Sequence, residues 1–239
     1  MRIDIWSDVV CPWCYIGKRR LEAALRNGWA DRDDIEIVYH SFQLDPSSPR
    51  EATQTVAEHL GEKYGGGAAG GQEMIDRIEA VAAEEGLIFR LGEAKRGNTI
   101  DAHRLLHLAL EQGGPELQGS LEESLLAAYF LEAGNPADHD TLARIAADAG
   151  LDPVRIREVL AGDDFADAVE SDLGQAVAYG ASGVPFFVID GRYGISGAQP
   201  AEVFEETLRR ADADAGLLVT VSAPTDESHG ACGPGGCAI

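Results

Sequence analysis

Polar and apolar residues alternate at the start of the chain. Arg2-Ile3-Asp4-Ile5-Trp6 has the period of two expected of a half-buried strand, followed by Ser7-Asp8, which supply helix-capping chemistry. From Pro12 to Asn27 the rhythm changes: Trp13, Ile16, Leu21, Ala24 and Leu25 fall at helical spacing, and Asn27-Gly28 ends the run. Residues 35 to 42 alternate again, Ile35, Ile37 and Tyr39 against Glu36, Val38 and His40, until Asp45-Pro46 turns the chain. Strand, helix, strand opens an α/β unit.

From Thr53 to about Gly180 the period is helical almost throughout. Breaks at residues 65–71, 86–98, 113–115, 134–136 and 150–153 predict five to seven helices. The glycine run at 65–71 has no Lys-Ser or Lys-Thr ending, so it reads as a flexible connector rather than a phosphate loop. Strand character returns at Phe186-Phe187-Val188-Ile189. The Asp190-Gly191 pair and a second short run, Tyr193 to Ser196, complete a hairpin. Pro200 opens a last helix to about Ala215. This order predicts one α/β sheet interrupted by a helical insertion. The remainder, rich in Gly, Pro, Ser and Ala, lacks the apolar mass to pack by itself.

Composition narrows the functional classes. The 239 residues, 45% hydrophobic and 25% charged, suit a globular protein with a core of its own. Nineteen Lys and Arg stand against 41 Asp and Glu, a net charge of -22, which repels nucleic acid and anionic membrane surfaces. No apolar run approaches the roughly 18 residues of a membrane span. The first residues carry Arg2 and Asp4 rather than the apolar stretch of a secretory signal, so the expected location is the cytoplasm. There, four cysteines point to redox or metal chemistry rather than a disulfide framework.

Two of those cysteines flank Pro12-Trp13 at the start of the first helix. A helix N-terminus presents unpaired N–H groups and the positive end of the macrodipole, so Cys11 is expected to have a depressed pKa and to react as thiolate. Pro12 suits the first turn, and the spacing brings Cys14 within reach of a mixed disulfide on Cys11. Lys18, Arg19 and Arg20 read as a solvated helix face. An alternative is a zinc site combining Cys11 and Cys14 with Cys232 and Cys237, with His229 as a further candidate. Ser182-Gly183-Val184-Pro185 precedes a strand, where a proline belongs at the first position. His103 and His107 share a helix face at i, i+4 without the Glu of a metalloprotease helix, and read as partly buried, hydrogen-bonded histidines. Asn98-Thr99 with Asp101 reads as a helix cap. Two cysteines in a glycine-rich tail could reach a remote disulfide.

Ser7-Asp8 ahead of Cys11-Pro12-Trp13-Cys14, then Asn98-Thr99 with His103-Arg104, Gly183-Val184-Pro185-Phe186-Phe187 and Ser196-Gly197-Ala198-Gln199-Pro200, resemble the DsbA-like branch of the thioredoxin superfamily, FrnE-type proteins most closely. The resemblance implies a thioredoxin fold split by a helical domain: first half 1–50, insertion 51–165, second half 166–215, and a flexible tail 216–239. It also implies Cys11 as an exposed nucleophile, Cys14 as resolver, and a cis bond between Val184 and Pro185. Asp8, Asn98, Thr99 and His103 become candidates for the substrate groove, and Cys232 with Cys237 for a second redox pair. The implied activity is thiol:disulfide oxidoreduction on protein or small-molecule thiols by a monomer or homodimer. No metal or resident cofactor is expected, and glutathione or a dithiol would serve as co-substrate. Periplasmic DsbA carries His inside its motif where this chain has Trp13, so a less oxidising pair is expected. Related glutathione-dependent isomerases of small aromatic substrates are the enzymatic alternative, but they carry Ser where this chain has Cys11.

Overall fold

The computed structural model of the protein describes residues 1–30, 32–50 and 54–215. β1 (Arg2–Ser7), α1 (Pro12–Arg26) and β2 (Glu36–Ser41) form the opening unit. Six helices follow: α2 (Val56–Tyr64), α3 (Gly67–Glu84), α4 (Ile100–Phe130), α5 (His139–Ala149), α6 (Pro153–Ala161) and α7 (Ala166–Ala178). β3 (Phe186–Ile189), β4 (Tyr193–Ser196) and α8 (Ala201–Asp214) complete the described chain. The strands lie in the order β2-β1-β3-β4, with β1 and β2 parallel and the other two pairings antiparallel. This is a thioredoxin-like sheet with helices between its halves.

The alternation in β1 assigns its two faces. Ile3 and Ile5 point toward α1 and α8, packing with Leu21, Phe187, Phe204 and Leu208. Trp6 points the other way, joining Phe186, Val188 and Ala176 of α7. That second face carries a buried polar lock. The His40 ring stacks on Trp6 at 4.5 Å, with Nε2 2.8 Å from Asp4 Oδ1 and Nδ1 2.9 Å from Asp172 Oδ1. Trp6 Nε1 donates to the Asp172 carbonyl at 2.9 Å, and the Ser41 amide donates to Asp172 Oδ2 at 2.8 Å. α7 is thus pinned to β1 and β2 by hydrogen bonds as well as by apolar contact. In the β3–β4 turn, Asp190 and Gly191 both adopt positive φ, and Asp190 Oδ1 accepts the Arg2 amide at 2.7 Å.

One stretch differs from the sequence expectation. The glycine run is ordered rather than a connector: only Gly65 and Gly66 form the turn, and α3 begins at Gly67. The reason is close packing of α2 on α3. A Cβ at Gly61 would fall on the Gly67 carbonyl, and one at Gly71 on that of Ala57, so only glycine lets the two backbones approach. The expected break at 113–115 is present: Gly114 takes φ 68° and ψ -164°, outside helical backbone, and a second helical segment of α4 starts through Pro115. α4 serves two cores. Leu105, Leu108 and Leu121 pack with α5 and α6, while Leu126, Tyr129 and Phe130 pack with Tyr15 and Ile16 of α1, Ile75 of α3 and Phe89.

Candidate active site

Cys11 is the N-cap of α1, with extended backbone at φ -89° and ψ 112°, and Pro12 follows at the first helical position. The Cys11 amide donates to the Asp8 carbonyl at 2.9 Å, and the Cys14 amide donates to the Cys11 carbonyl at 3.0 Å. Both cysteines are free thiols. Cys11 Sγ lies 3.5 Å from the carbonyl oxygen of Val184, and the Val184–Pro185 bond is cis. Pro185 precedes β3 directly, and its carbonyl accepts the Gly197 amide at 2.8 Å. Gly17 of α1 makes this approach close, because a Cβ there would come 3.1 Å from Pro185 Cγ and 3.2 Å from the Phe187 ring.

The thiols are covered. Cys11 is 2% exposed and Cys14 4%, whereas Trp13 is 40% exposed, so the resemblance's exposed nucleophile is corrected. As the N-cap residue, Cys11 turns its sulfur inward, toward the Val184 loop, instead of outward from α1. Burial pushes the Cys14 thiol well up, and Cys11 beside it acts in the same direction; the Asp8 backbone and the Ser7 hydroxyl pull the other way.

Beneath the pair lies a buried polar cluster from β1 and α4. The Ser7 hydroxyl donates to Glu122 Oε1 at 2.7 Å, while Glu122 Oε2 has no partner. Burial holds the Glu122 carboxyl above the usual carboxylate range, although the Ser7 hydrogen bond opposes it. Asp8 Oδ2 accepts the Leu44 amide at 2.8 Å, and Asp8 Oδ1 sits 3.5 Å from His103 Nε2 without hydrogen-bond geometry. Neither ring nitrogen of His103 has a partner, which corrects the expected hydrogen-bonded histidine: α4 carries the ring to a fully buried position beside Asp8. His107, one turn on, does fit the expectation, with Nε2 3.1 Å from both Ser41 Oγ and Asp172 Oδ2.

The remaining candidates divide. Asp8, Pro12, Trp13 and Thr99 line one cavity of about 550 Å³ between the β1–α1 loop, α2 and α3. Asn98 stands aside as a structural tie. Its Oδ1 accepts the Ile100 amide at 2.9 Å, capping α4, and its Nδ2 donates to the Pro46 and Ser48 carbonyls. Lys18, Arg19 and Arg20 are not a solvated face. Lys18 and Arg19 both engage Glu22 and Glu123, and Arg20 pairs with Glu85, so partner carboxylates answer their charge. Cys232 and Cys237 lie outside the described residues, as does His229 of the zinc alternative. Among the described residues no group of three or more His, Cys, Asp or Glu could hold a metal.

Glu122 escaped the sequence reading, as did the cationic residues that edge the cavity. The available signal was Gln118 and Glu122 at i, i+4 among Leu121, Leu125 and Tyr129, polar residues on the face of α4 that the apolar pattern buries.

Comparison with known proteins shows the family. A probable DsbA oxidoreductase, SCO1869 from Streptomyces coelicolor, is 42% identical, with 100% of this chain and 99% of that chain covered and a TM-score of 0.84. The uncharacterized protein YwbO of Bacillus subtilis (strain 168) is 27% identical over 213 residues, covering 87% of this chain and 96% of its own length. The cytosolic disulfide reductase DsbM from Pseudomonas aeruginosa, solved with GSH, shares the fold at 15% identity and a TM-score of 0.60, with 89% of this chain and 100% of that chain covered. The DSBA-like thioredoxin domain profile spans residues 2–209, and the chain belongs to that family.

Proposed function

We propose that the protein is a thiol:disulfide oxidoreductase in which Cys11 attacks and Cys14 resolves. The observation that carries the reading is the placement of two free cysteines at the N-cap and third position of α1, with Cys11 Sγ 3.5 Å from the Val184 carbonyl of the proline loop. The 42% identity to a probable DsbA oxidoreductase supports it. As thiolate, Cys11 attacks one sulfur of a substrate disulfide. The S–S bond breaks, and the leaving sulfur takes the electron pair and then a proton. Cys14 loses its proton and attacks the Cys11 sulfur of the mixed disulfide. The second substrate thiol is released, and Cys11–Cys14 is left as the disulfide. Two electrons pass from dithiol to substrate, and the reverse sequence oxidises a dithiol. Ser7, between Cys14 and Glu122, offers the Cys14 proton a route to a carboxyl whose raised affinity suits it to accept.

Trp13 in place of a motif histidine favours the reductive or isomerising direction over strong oxidation, in the cytoplasm, with glutathione or a dithiol as electron donor. No helix among the described residues is long and apolar enough to cross a membrane. On sequence grounds Cys232 and Cys237 are assigned as a second exchanging pair, and residues 51–165 as an insertion between the halves of the thioredoxin-like domain. The direct test is reduction of a protein disulfide. Cys11→Ser is expected to lose activity by about a hundredfold or more. Full activity in that variant would remove the assignment.

A further inference from the structure

The cavity beside the dithiol has a chemical character that the exchange reaction does not require. Its volume of about 550 Å³ falls within the roughly 300–1,000 Å³ usual for small-molecule sites. Val10, Leu60, Ile78, Leu91 and Tyr129 supply an apolar wall. Lys63 of α2, Arg77 of α3 and Arg96 line it as well. In a chain with 19 basic against 41 acidic residues, three cations on one rim, Lys63 and Arg77 exposed and Arg96 half-buried, run against the composition. Lys63 stands 5.5 Å over the Tyr64 ring, and Arg77 Nε donates to the Glu73 backbone carbonyl; neither side chain has an ion-pair partner among the described residues. Arg96 pairs with Asp45, yet its Nε is buried without a hydrogen-bond partner. Burial and the nearby charges of Arg96 and Lys63 hold His59, on the same wall, below the usual histidine range. The carboxylates are distributed unevenly: Asp45 is engaged by Arg96, and Asp8 closes the end beside Cys11.

Resting on the oxidoreductase reading above, we propose that this cavity binds the non-reacting part of a low-molecular-weight disulfide, a ring-sized apolar body bearing a carboxylate or similar anion. The anion lies toward Lys63 and Arg77, away from Asp8, and the sulfur lies at the Pro12–Trp13 end. Pro12 and Trp13 line the cavity where the two cysteines between which they lie do not, so the substrate disulfide must extend past that end to be cleaved by the Cys11 thiolate. One half leaves as thiolate, and Cys14 then displaces the other half, so the dithiol itself supplies both electrons.

Two arms test the proposal and separate it from the redox reading. In the first, the fully reduced Cys232→Ser/Cys237→Ser chain is mixed with dithiobis(nitrobenzoate), an aryl disulfide with carboxylates, or with neutral dithiodipyridine, and single-turnover rates are followed against disulfide concentration. The expected result is saturation with the anionic disulfide. The Lys63→Met/Arg77→Met variant should lower the ratio of anionic to neutral rate constants by roughly five- to tenfold. In the second arm, naphthoate and its uncharged amide are titrated calorimetrically into the Cys11→Ser/Cys14→Ser variant, where no exchange can occur. Naphthoate should bind roughly fivefold more tightly than the amide, and Leu60→Trp, which fills the cavity, should remove both. Equal binding of acid and amide, no binding of either, or undiminished binding in a folded Leu60→Trp variant would overturn the proposal. Failure of the reduced chain to react with either disulfide, alongside intact naphthoate binding, would instead count against the redox reading.

Discussion

Cys11 and Cys14 stand one helical turn apart yet meet different surroundings. Cys11 faces the Val184 carbonyl at the open end of α1, while Cys14 is enclosed above Ser7 and Glu122. The single Ser7 hydroxyl proton is contested between the Glu122 carboxylate and the Cys14 sulfur, which makes Glu122 the group to change. Burial raises the Glu122 carboxyl above its unfolded value, so its contribution to stability is present in acid and is lost as pH rises through the folded value. Glu122→Gln should flatten that dependence in chemical denaturation and slow the resolving step by roughly a hundredfold, read as longer-lived mixed disulfide. His40 has the opposite balance. Burial disfavours its charge, but hydrogen bonds to Asp172 and Asp4 prevail and raise it to about 9, above the ordinary 6.5. The stability contributed by the charge on His40 is therefore complete below about pH 6.5, as long as Asp4 and Asp172 stay ionised, and falls away as pH climbs through about 9. His40→Ala should cost about 3 kcal/mol near neutral pH and abolish that alkaline decline in denaturant unfolding.

Among the elements, legibility followed local periodicity. β1, α1 and β2 carry a regular period and the β3–β4 hairpin a compact apolar run, so Ile3, Ile5, Leu21 and Phe187 announced them. The α2–α3 hairpin did not announce itself, because Gly61, Gly67 and Gly71 look like a linker in composition while their role is the close approach of two backbones. Gly61→Ala should therefore cost about 1–3 kcal/mol in thermal or denaturant unfolding, since its Cβ meets backbone that cannot rotate away. A cost near zero would mean that the two helices part easily. The kink at Gly114 shows the converse: punctuation at 113–115 was visible and the helix does break there, with Leu108 before it and Leu121 after it sharing one core.

At the scale of the whole molecule, the dithiol and the proline loop were readable from motif residues, but their buried neighbours were not. Ser7 meets Glu122 across 115 residues of sequence, and Cys11 meets Val184 across 173, so no local pattern could show what encloses the thiols. The same distance explains why Cys11 proved covered and why Lys18 and Arg19 proved neutralised by Glu123 of α4. The helices between the two halves of the sheet thus contribute the acid beneath the site, the cavity beside it and the α7 face opposite α1. The central claim is the division of labour between the two cysteines, and it is tested most directly by trapping. Reduced Cys14→Ser protein is incubated with a disulfide substrate, and the adduct is mapped by non-reducing peptide mass analysis. A substrate half bonded to Cys11, accumulating because Cys14 is not there to displace it, is the predicted result. An adduct on another cysteine, or turnover undiminished without Cys14, would contradict it.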